Sequence, residues 1–227
     1  MKTGVIIAAR TGSSRLPGKA LLPLLGIPMV SFLIRRLKPS MRTDCLMLAT
    51  TRKPEDDRLE RLAAEEQIVC FRGSENNLIK RYLDAARQYD IDRIVRVTAD
   101  CPFVSAETLD HCLALCDAQT EYDLASTKQL FPVGVDYELF SLQRLAHLHD
   151  HCRPTEAERE HLTLHMVNHP EKYSIMKLSP QPQWRWRGRD FTVDTRQDYE
   201  WAASLAATLG RIDFSLAELL EAAKNVQ

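Results

Sequence analysis

Residues 6–19 read Ile6-Ile7-Ala8-Ala9-Arg10-Thr11-Gly12-Ser13-Ser14-Arg15-Leu16-Pro17-Gly18-Lys19. The apolar run that ends at Ala9 is typical of a buried first strand, and the loop after it holds two glycines, two serines and three cations. Glycine permits close backbone approach, while hydroxyls, N–H groups and fixed positive charges bind a polyanion. The GxxxxGK[ST] and GxGxxG patterns are both absent from this loop. The stretch therefore predicts an α/β fold with a phosphate site after its first strand, the alternative being a solvated basic turn.

Apolar runs alternate with segments of helical period, which predicts a Rossmann-like, mostly parallel sheet with helices on both faces. The predicted strands of the first half are Gly4–Ala9, Cys45–Thr51, Ile68–Phe71 and Arg93–Thr98. The predicted helices are Met29–Lys38, Pro54–Glu66, Glu75–Tyr89 and Ser105–Ala118. Because ligands of such sheets bind beyond the carboxyl ends of the strands, we expect the Arg10 loop and Asp100 to face one crevice.

The pattern changes from about residue 122 onward. Strand-like pieces are predicted at Asp123–Ser126, Val135–Phe140, Tyr173–Leu178 and Phe191–Val193, with an irregular loop over Ser179–Asp190. Helices are predicted around Ala146–Cys152, Glu156–Asn168, Arg196–Leu209 and Ser215–Lys224. No repeat or linker separates this part, so we predict one domain over residues 1–227. Residues 122–190 would form a small sugar-binding or dimerisation region within it.

Composition excludes several classes of protein. The 227 residues are 44% hydrophobic and 27% charged with a formal net charge of -1, an ordinary soluble profile without the basic excess of a nucleic-acid binder. The start of the chain, Met1 to Gly4, leads into too short an apolar run for a signal peptide, and no stretch is long enough to span a bilayer. We therefore expect a cytoplasmic protein without a membrane or nucleic-acid partner.

Two side-chain patterns raise the question of a soft metal site. Cys112 and Cys116 share one face of a predicted helix, but no second Cys or His pair stands at zinc spacing, so a core role is favoured. The six cysteines as a set predict no disulfide framework in a cytosolic protein. The second pattern is a set of four histidines, for which we favour an exposed helix over a metal cluster. They are His147, His149, His151 and His165.

The opening loop resembles the N-terminal signature of the CMP-sugar synthetases, or cytidylyltransferases, of the spore-coat-polysaccharide type, which are related to the CMP-Kdo synthetases. Further blocks resemble the same family in the same order over almost the whole chain. They are Leu24-x-Gly26-x-Pro28-Met29, Phe71-Arg72-Gly73-Ser74-Glu75, Thr98-Ala99-Asp100-Cys101-Pro102, Gly134-Val135-Asp136-Tyr137-Glu138-Leu139-Phe140, Glu158-Arg159-Glu160-His161 and Val193-Asp194-Thr195. The resemblance implies transfer of CMP from CTP to a sugar acid with release of pyrophosphate, in surface polysaccharide or glycan biosynthesis, by a homodimer.

The residues also point to how the nucleotide is bound. Arg10, Lys19 and Asp100 are the predicted catalytic residues: a triphosphate needs its charge neutralised during transfer, which is the role of the two cations, and Asp100 would hold the metal ion. The resemblance implies that backbone groups around Ala8 and Ala9 read the base, with help from Arg72. The full predicted nucleotide site is Ala8, Ala9, Arg10, Gly12, Ser13, Ser14, Arg15, Lys19, Arg72 and Thr98.

Asp100 and Asp194 are the predicted ligands of a catalytic Mg²⁺, which prefers a few hard oxygen ligands. Both match metal-binding aspartates of the family. For Asp194 the residues alone leave an alternative open, because it precedes Thr195 at the start of a predicted helix and could cap it.

The predicted acceptor-binding residues are Asp136, Glu138, Glu160 and His161. Asp136 and Glu138 alternate along a predicted strand and so point the same way, whereas the plainer interpretation is a solvated strand face and an ordinary helix. Thr98 stands where CMP-Kdo enzymes carry glutamine and Ala99 where many relatives carry glycine, so the sugar cannot be inferred from that enzyme.

Three other functions compete with this reading. A nucleotidyltransferase of the same fold could use another nucleoside triphosphate or a non-sugar acceptor, since the phosphate loop barely distinguishes them. A glycosyltransferase is disfavoured because residues 98–102 contain no Asp-x-Asp. A non-catalytic nucleotide-binding protein is disfavoured by the joint presence of the loop cations with Asp100 and Asp194.

Overall fold

A computed structural model describes residues 1–119, 121–152 and 154–226, with the side chain of Glu160 also outside the description. Its centre is a seven-stranded sheet with the strand order β5-β4-β1-β6-β8-β7-β9. The strands of this sheet are β1 (Thr3–Ala8), β4 (Cys45–Thr51), β5 (Val69–Gly73), β6 (Arg93–Thr98), β7 (Leu124–Ser126), β8 (Glu138–Ser141) and β9 (Ile175–Lys177). A separate small hairpin pairs β2 (Pro23–Leu24) with β3 (Ile27–Pro28).

The first four strands in this order, β5, β4, β1 and β6, are parallel to one another. β1 lies between β4 and β6, and β4 pairs in turn with β5. β8 runs antiparallel to both β6 and β7, and β9 is parallel to β7. The predicted mostly parallel sheet is confirmed, and the strands from the region 122–190 extend that same sheet. The carboxyl ends of β1, β4, β5 and β6 meet at one edge, together with the start of β8.

Helices cover both faces of the sheet. They are α1 (Met29–Leu37), α2 (Asp57–Glu65), α3 (Leu78–Gln88), α4 (Ala106–Ala118), α5 (Leu142–His151), α6 (Glu156–Glu160), α7 (Leu164–Asn168), α8 (Arg196–Leu209) and α9 (Leu216–Ala223). Short 3-10 turns occupy Lys19–Leu21, Pro54–Asp56 and Pro182–Trp184.

Alternation along the strands divides the core into two apolar layers. On β1, Val5 and Ile7 belong to the layer formed with α1, α2, α4, α8 and α9, whereas Ile6 belongs to the layer formed with α3, α5 and α7. All three side chains are essentially inaccessible to solvent. Burial of each large apolar side chain contributes roughly 1.5–3 kcal/mol, so both layers stabilise the sheet edge on which the loops rest.

Three predicted elements differ in the structure. Phe191–Val193 is not a strand, because the Phe191 amide donates to the carbonyl of Val133 and the Val193 amide to that of Asp100, both of which lie in loops. The predicted helix Glu156–Asn168 is two short helices, α6 and α7. β8 begins at Glu138 rather than Val135, since a turn with Gly134 at φ 86° precedes it.

Within the described ranges, no helix is long and apolar enough to cross a bilayer. The six cysteine thiols are free, and Cys112 and Cys116 are both buried in the core, as the sequence favours.

Candidate active site

A cavity of about 480 Å³ opens at the edge where the parallel strands end. The predicted site residues that line it are Ala8, Ala9, Arg10, Ser13, Ser14, Arg15, Lys19, Thr98, Asp100, His161 and Asp194. The sequence did not single out five further charged residues of its wall, which are Glu75, Arg81, Arg96, Glu156 and Arg159. Among the described residues, cations outnumber carboxylates on this wall, which suits a polyanionic ligand.

The loop after β1 is held in shape by Thr11. Its carbonyl accepts the amides of Ser13 and Gly18, both at 2.9 Å, and Gly18 adopts the left-handed φ of 71° that favours glycine. Gly12 lies in the same loop but not on the cavity wall, and a Cβ there would meet a carboxylate oxygen of Glu55 at 3.4 Å. The loop thus closes on itself and turns its serines and cations toward the cavity.

Asp56 anchors this loop to the end of β4. Its Oδ1 accepts the Thr11 amide at 2.8 Å and the Thr11 hydroxyl at 2.7 Å, while its Oδ2 accepts the Thr51 hydroxyl. Asp56 is almost fully buried. Burial alone would raise the pKa of this carboxyl, but the hydrogen bonds from Thr51 and Thr11 outweigh it and lower the pKa below its usual value. Asp56 is a positioning residue that the sequence analysis did not identify.

Lys19 joins the two predicted metal ligands. Its Nζ donates to Asp100 Oδ2 at 2.8 Å and to Asp194 Oδ1 at 2.9 Å, with a third bond to the Val193 carbonyl at 2.9 Å. The two carboxylates therefore share one cation, and Arg15 adds a second contact to Asp194 at 3.1 Å. The structure brings together residues that the chain separates widely. The strand-end argument predicts this for Asp100 and the loop, whereas Asp194 follows a segment that is not a strand.

The charges in this cluster stabilise one another. Burial tends to lower the pKa of Lys19, but Asp100 and Asp194 outweigh burial and raise it. Burial likewise tends to raise the pKa of Asp100, and Lys19 outweighs it, so the pKa of Asp100 falls below its usual value. Lysine and aspartate are thus both held in their charged forms at neutral pH.

Asp194 owes its position to the segment before it. Gly134 approaches this segment so closely that a Cβ would lie 2.5 Å from the backbone of Phe191 and Thr192, and the Val193 amide is held by Asp100. The cap of α8 is Thr195, whose hydroxyl accepts the Asp198 amide in a capping box. The alternative in which Asp194 caps the helix is therefore wrong, and its carboxylate faces Lys19 instead.

The far side of the cavity is built on a buried ion pair. Arg96 on β6 faces Glu138 on β8, with Nη1 2.7 Å from Oε2, and the other oxygen of Glu138 bonds Thr163 at 2.6 Å and Lys128 at 2.9 Å. Glu138 is 1% exposed, and burial would raise its pKa, but Arg96 and Lys128 hold that pKa below its usual value. Among the described side chains, the buried Nε of Arg96 has no hydrogen-bond partner.

Only some of the predicted acceptor-binding residues lie at the cavity. His161 lies on the cavity wall, between α6 and α7, whereas the described wall does not include Asp136 or Glu138. Asp136 accepts the Gly134 amide at 2.9 Å, and burial raises its pKa. Their shared direction along one strand does not arise, because Asp136 precedes β8. The side chain of Glu160 lies outside what the structure describes.

Arg72 is not brought to the described wall of the cavity. Its guanidinium donates to the carbonyls of Thr51 and Lys53 and contacts Asp57 and Glu60 at the start of α2. Arg81, on α3, lines the cavity instead and donates to the Ser74 and Glu75 carbonyls. The sequence signal for Arg81 is weak, since an arginine in an amphipathic helix usually faces solvent.

Comparison with known proteins shows the family to which the chain belongs. A sequence profile described as cytidylyltransferase matches residues 4–224. The spore coat polysaccharide biosynthesis protein SpsF of Bacillus subtilis is 32% identical over 95% of this chain and 91% of its own. The structure of a cytidylyltransferase from Leptospira borgpetersenii superposes with a TM-score of 0.92 at 36% identity, covering 99% of this chain and 94% of that one.

A more distant structure shares the fold alone. CMP:2-keto-3-deoxy-manno-octonic acid synthetase, solved with CTP, superposes with a TM-score of 0.71 at 17% identity, covering 92% of this chain and 100% of that one. The profile match spans nearly the whole chain, and the relative and the structure of 32% and 36% identity cover almost all of it. The chain therefore belongs to the cytidylyltransferase family and is a nucleotidyltransferase enzyme.

Proposed function

We propose that this enzyme transfers CMP from CTP to a hydroxyl group of a sugar acid and releases pyrophosphate. The observation that carries the proposal is the meeting of the Arg10–Lys19 loop with Asp100 and Asp194 at one cavity. The loop presents hydroxyls and three cations to a triphosphate. The carboxylates lie beside it, where they could hold a metal ion that neutralises the phosphates. Transfers of this type depend mainly on positioning and charge stabilisation, which this arrangement supplies.

Base selection follows from which backbone groups remain available near Ala8 and Ala9. The Ala9 amide already donates to the Ala49 carbonyl at 3.2 Å, so it is committed to the sheet edge. The Ala8 carbonyl in turn accepts the Ala99 amide at 3.0 Å, so the acceptor that these residues offer a base is the Ala9 carbonyl, which accepts hydrogen bonds only. Cytosine carries an amino group as donor at its 4-position, whereas uracil carries an oxygen there, so CTP is favoured over UTP.

The donor set of Asp100 and Asp194 fits Mg²⁺. The two carboxylates already converge on one cation, the ammonium group of Lys19, and both are hard oxygen ligands. Asp100 and Asp194 would hold the ion, which when bound would polarise the α-phosphate and neutralise charge on the leaving pyrophosphate. Lys19 would then donate to phosphate oxygens, and Arg15 would add a bidentate contact.

The acceptor side of the cavity favours an acid. Arg96, Arg159 and His161 line it, and the guanidinium groups of the two arginines are cationic donors whose planar geometry suits a carboxylate. The relationship to SpsF supports a role in polysaccharide or glycan biosynthesis. A homodimer in the cytoplasm, organised as one nucleotidyltransferase domain, stays a prediction.

A release assay tests this function directly. Each of the four nucleoside triphosphates is incubated with Mg²⁺ and a panel of 2-keto-3-deoxy and nonulosonic sugar acids, and pyrophosphate is measured. We expect release with CTP and at least one sugar acid. Release only with another nucleotide, or only with an acceptor that lacks a carboxylate, would favour the competing nucleotidyltransferase reactions.

A further inference from the structure

A second group of ligating side chains lies outside the paired aspartates. Glu158 on α6, His165 on α7 and His169, directly after α7, place one ligand atom each within 4.8 Å of the others. Glu158 is buried, and both histidines are partly buried. The phosphate loop and the nucleotide chemistry make no use of these three residues.

Glu158 is fixed so that one of its oxygens faces the histidines. Oε2 accepts the Thr155 amide at 2.8 Å and the Thr155 hydroxyl at 3.1 Å, which closes the capping box of α6. Oε1 lies 3.2 Å from His165 Nδ1 and accepts Asn168 Nδ2 at 3.4 Å. The helix cap therefore orients the carboxylate, as outer partners orient ligands in metal sites.

The two imidazoles are arranged as a pair. His165 and His169 stand four positions apart, and their ring centroids lie 4.5 Å from each other. His169 Nδ1 lies 3.3 Å from a carboxylate oxygen of Glu171, which leaves Nε2 for a ligand. A carboxylate on the second ring nitrogen is the usual partner of a metal-bound histidine, because it fixes the tautomer and the ring orientation.

The ligand chemistry and the one short ligand separation fit zinc. In a tetrahedral site with bonds of about 2.0–2.1 Å, neighbouring ligand atoms lie about 3.3 Å apart. The separation of Glu158 Oε1 and His165 Nδ1 is 3.2 Å. Two imidazoles and one carboxylate suit Zn²⁺, whereas Mg²⁺ prefers oxygen ligands and keeps its waters. We propose that Glu158, His165 and His169 bind a zinc-type divalent cation, with water as the fourth ligand.

The place of this site gives the cation a role. α6 carries Glu156 and Arg159, and the connection to α7 carries His161, all of which line the cavity. A cation that joins α6 to the end of α7 would hold these side chains in one arrangement. The proposed zinc site thus supports the acceptor side of the cavity without contacting the nucleotide.

Metal binding is measured on the chelator-stripped full-length protein, with excess Mg²⁺ present to occupy sites built from oxygen ligands. Equilibrium dialysis with Zn²⁺ gives stoichiometry and affinity, and Co²⁺ absorption reports imidazole ligands. The variants are His165→Asn and His169→Asn. His147→Asn is the matched control, because His147 and His151 also form a pair of stacked rings, 4.8 Å apart, on α5.

We expect the wild type and the His147→Asn control to bind one zinc more than either test variant. Affinity at the site should fall by more than about tenfold in each variant, since the loss of an outer partner alone costs that much. Zinc should raise the melting temperature of the wild type but not of the variants, whose melting temperatures without metal should match it. Equal zinc binding by all four proteins, no binding by any, or a loss confined to the control would overturn the proposal. None of these measurements depends on catalysis, so they stand apart from the proposed function.

Discussion

The ammonium group of Lys19 lies 2.8 Å from Asp100 Oδ2, although 81 positions separate the two residues in the chain. Lys19 follows the loop after β1, and Asp100 follows β6, the neighbour of β1 in the sheet. Parallel pairing of these strands places their carboxyl ends together and so creates the contact. Asp194 shares the same ammonium group, which places Lys19 at the centre of the charged cluster.

Lys19→Met removes the charge but keeps the length of the side chain. We expect the binding free energy of CTP to weaken by about 1.5–3 kcal/mol, the usual contribution of a charge-assisted hydrogen bond. The affinity of the free protein for Mg²⁺ should rise, because Asp100 and Asp194 lose the cation they share. Calorimetry with CTP and with Mg²⁺ alone measures both, and Lys80→Met, an exposed lysine paired with Asp84, is the control. Unchanged CTP affinity in Lys19→Met would contradict the assignment of Lys19 to the triphosphate.

Arg72→Ala distinguishes the surface contacts of Arg72 in the structure from the sequence-based expectation that Arg72 helps to bind the base. Because Arg72 pairs with Asp57 and Glu60 rather than lining the described wall of the cavity, we expect CTP affinity to change less than about threefold. Stability should fall by less than about 1 kcal/mol, as for other pairs near the surface. Titration calorimetry and urea unfolding give the two quantities. A tenfold loss of CTP affinity would instead indicate that Arg72 contacts the base, as the family resemblance implies.

Asp56→Asn tests the anchor of the phosphate loop. The change removes charge-assisted bonds to Thr11 and Thr51, so stability at pH 7 should fall by roughly 1.5–3 kcal/mol and CTP should bind more weakly. Since the folded-state pKa of Asp56 is lowered, its contribution is complete above the unfolded pKa of about 3.9 and is lost as pH falls through the folded value. Urea unfolding from pH 7 to pH 3 should therefore show a smaller acid loss in the variant. Parallel pH profiles for both proteins would exclude this role.

Glu138→Gln tests whether Glu138 acts through Arg96. The variant keeps the shape but removes the charge that holds Arg96, so the acceptor KM should rise at least several-fold while the KM for CTP stays within about twofold. A stability loss of up to about 3–5 kcal/mol accompanies a broken buried pair, so folding is checked by circular dichroism. Steady-state kinetics with both substrates measures the split. A rise in the KM for CTP alone would place Glu138 on the nucleotide side.

Central strands were predictable because their apolar runs are buried on both sides. Cys45–Thr51 and Arg93–Thr98 match the predicted bounds, as expected for strands in a parallel sheet. Phe191 and Val193 are also apolar and buried, but their amides bond to the loop carbonyls of Val133 and Asp100. Apolar residues in a short segment predict burial, whereas the identity of the segment's hydrogen-bond partners depends on the tertiary fold.

Site residues in the loops after strands were predictable, whereas those on helices were not. Lys19, Asp100 and Asp194 meet as the element order and the family blocks predict. Arg81 was missed because an arginine within an amphipathic helix is usually solvated, and its burial depends on how α3 packs. Asp56 was missed for a similar reason, since an acidic residue after Pro54 is indistinguishable from an ordinary helix start.

Whether Asp100 and Asp194 hold one ion is measured by a double-mutant cycle of Asp100→Asn and Asp194→Asn, read as pyrophosphate release from CTP at limiting Mg²⁺. Glu200→Gln on α8, an exposed residue paired with Arg196, is the control and should keep normal turnover. If both carboxylates hold one ion, each single variant should lose roughly a hundredfold or more in turnover with its fold intact. The double variant should then be far less than additive. Near-normal turnover in either single variant, or fully additive losses, would contradict a shared site.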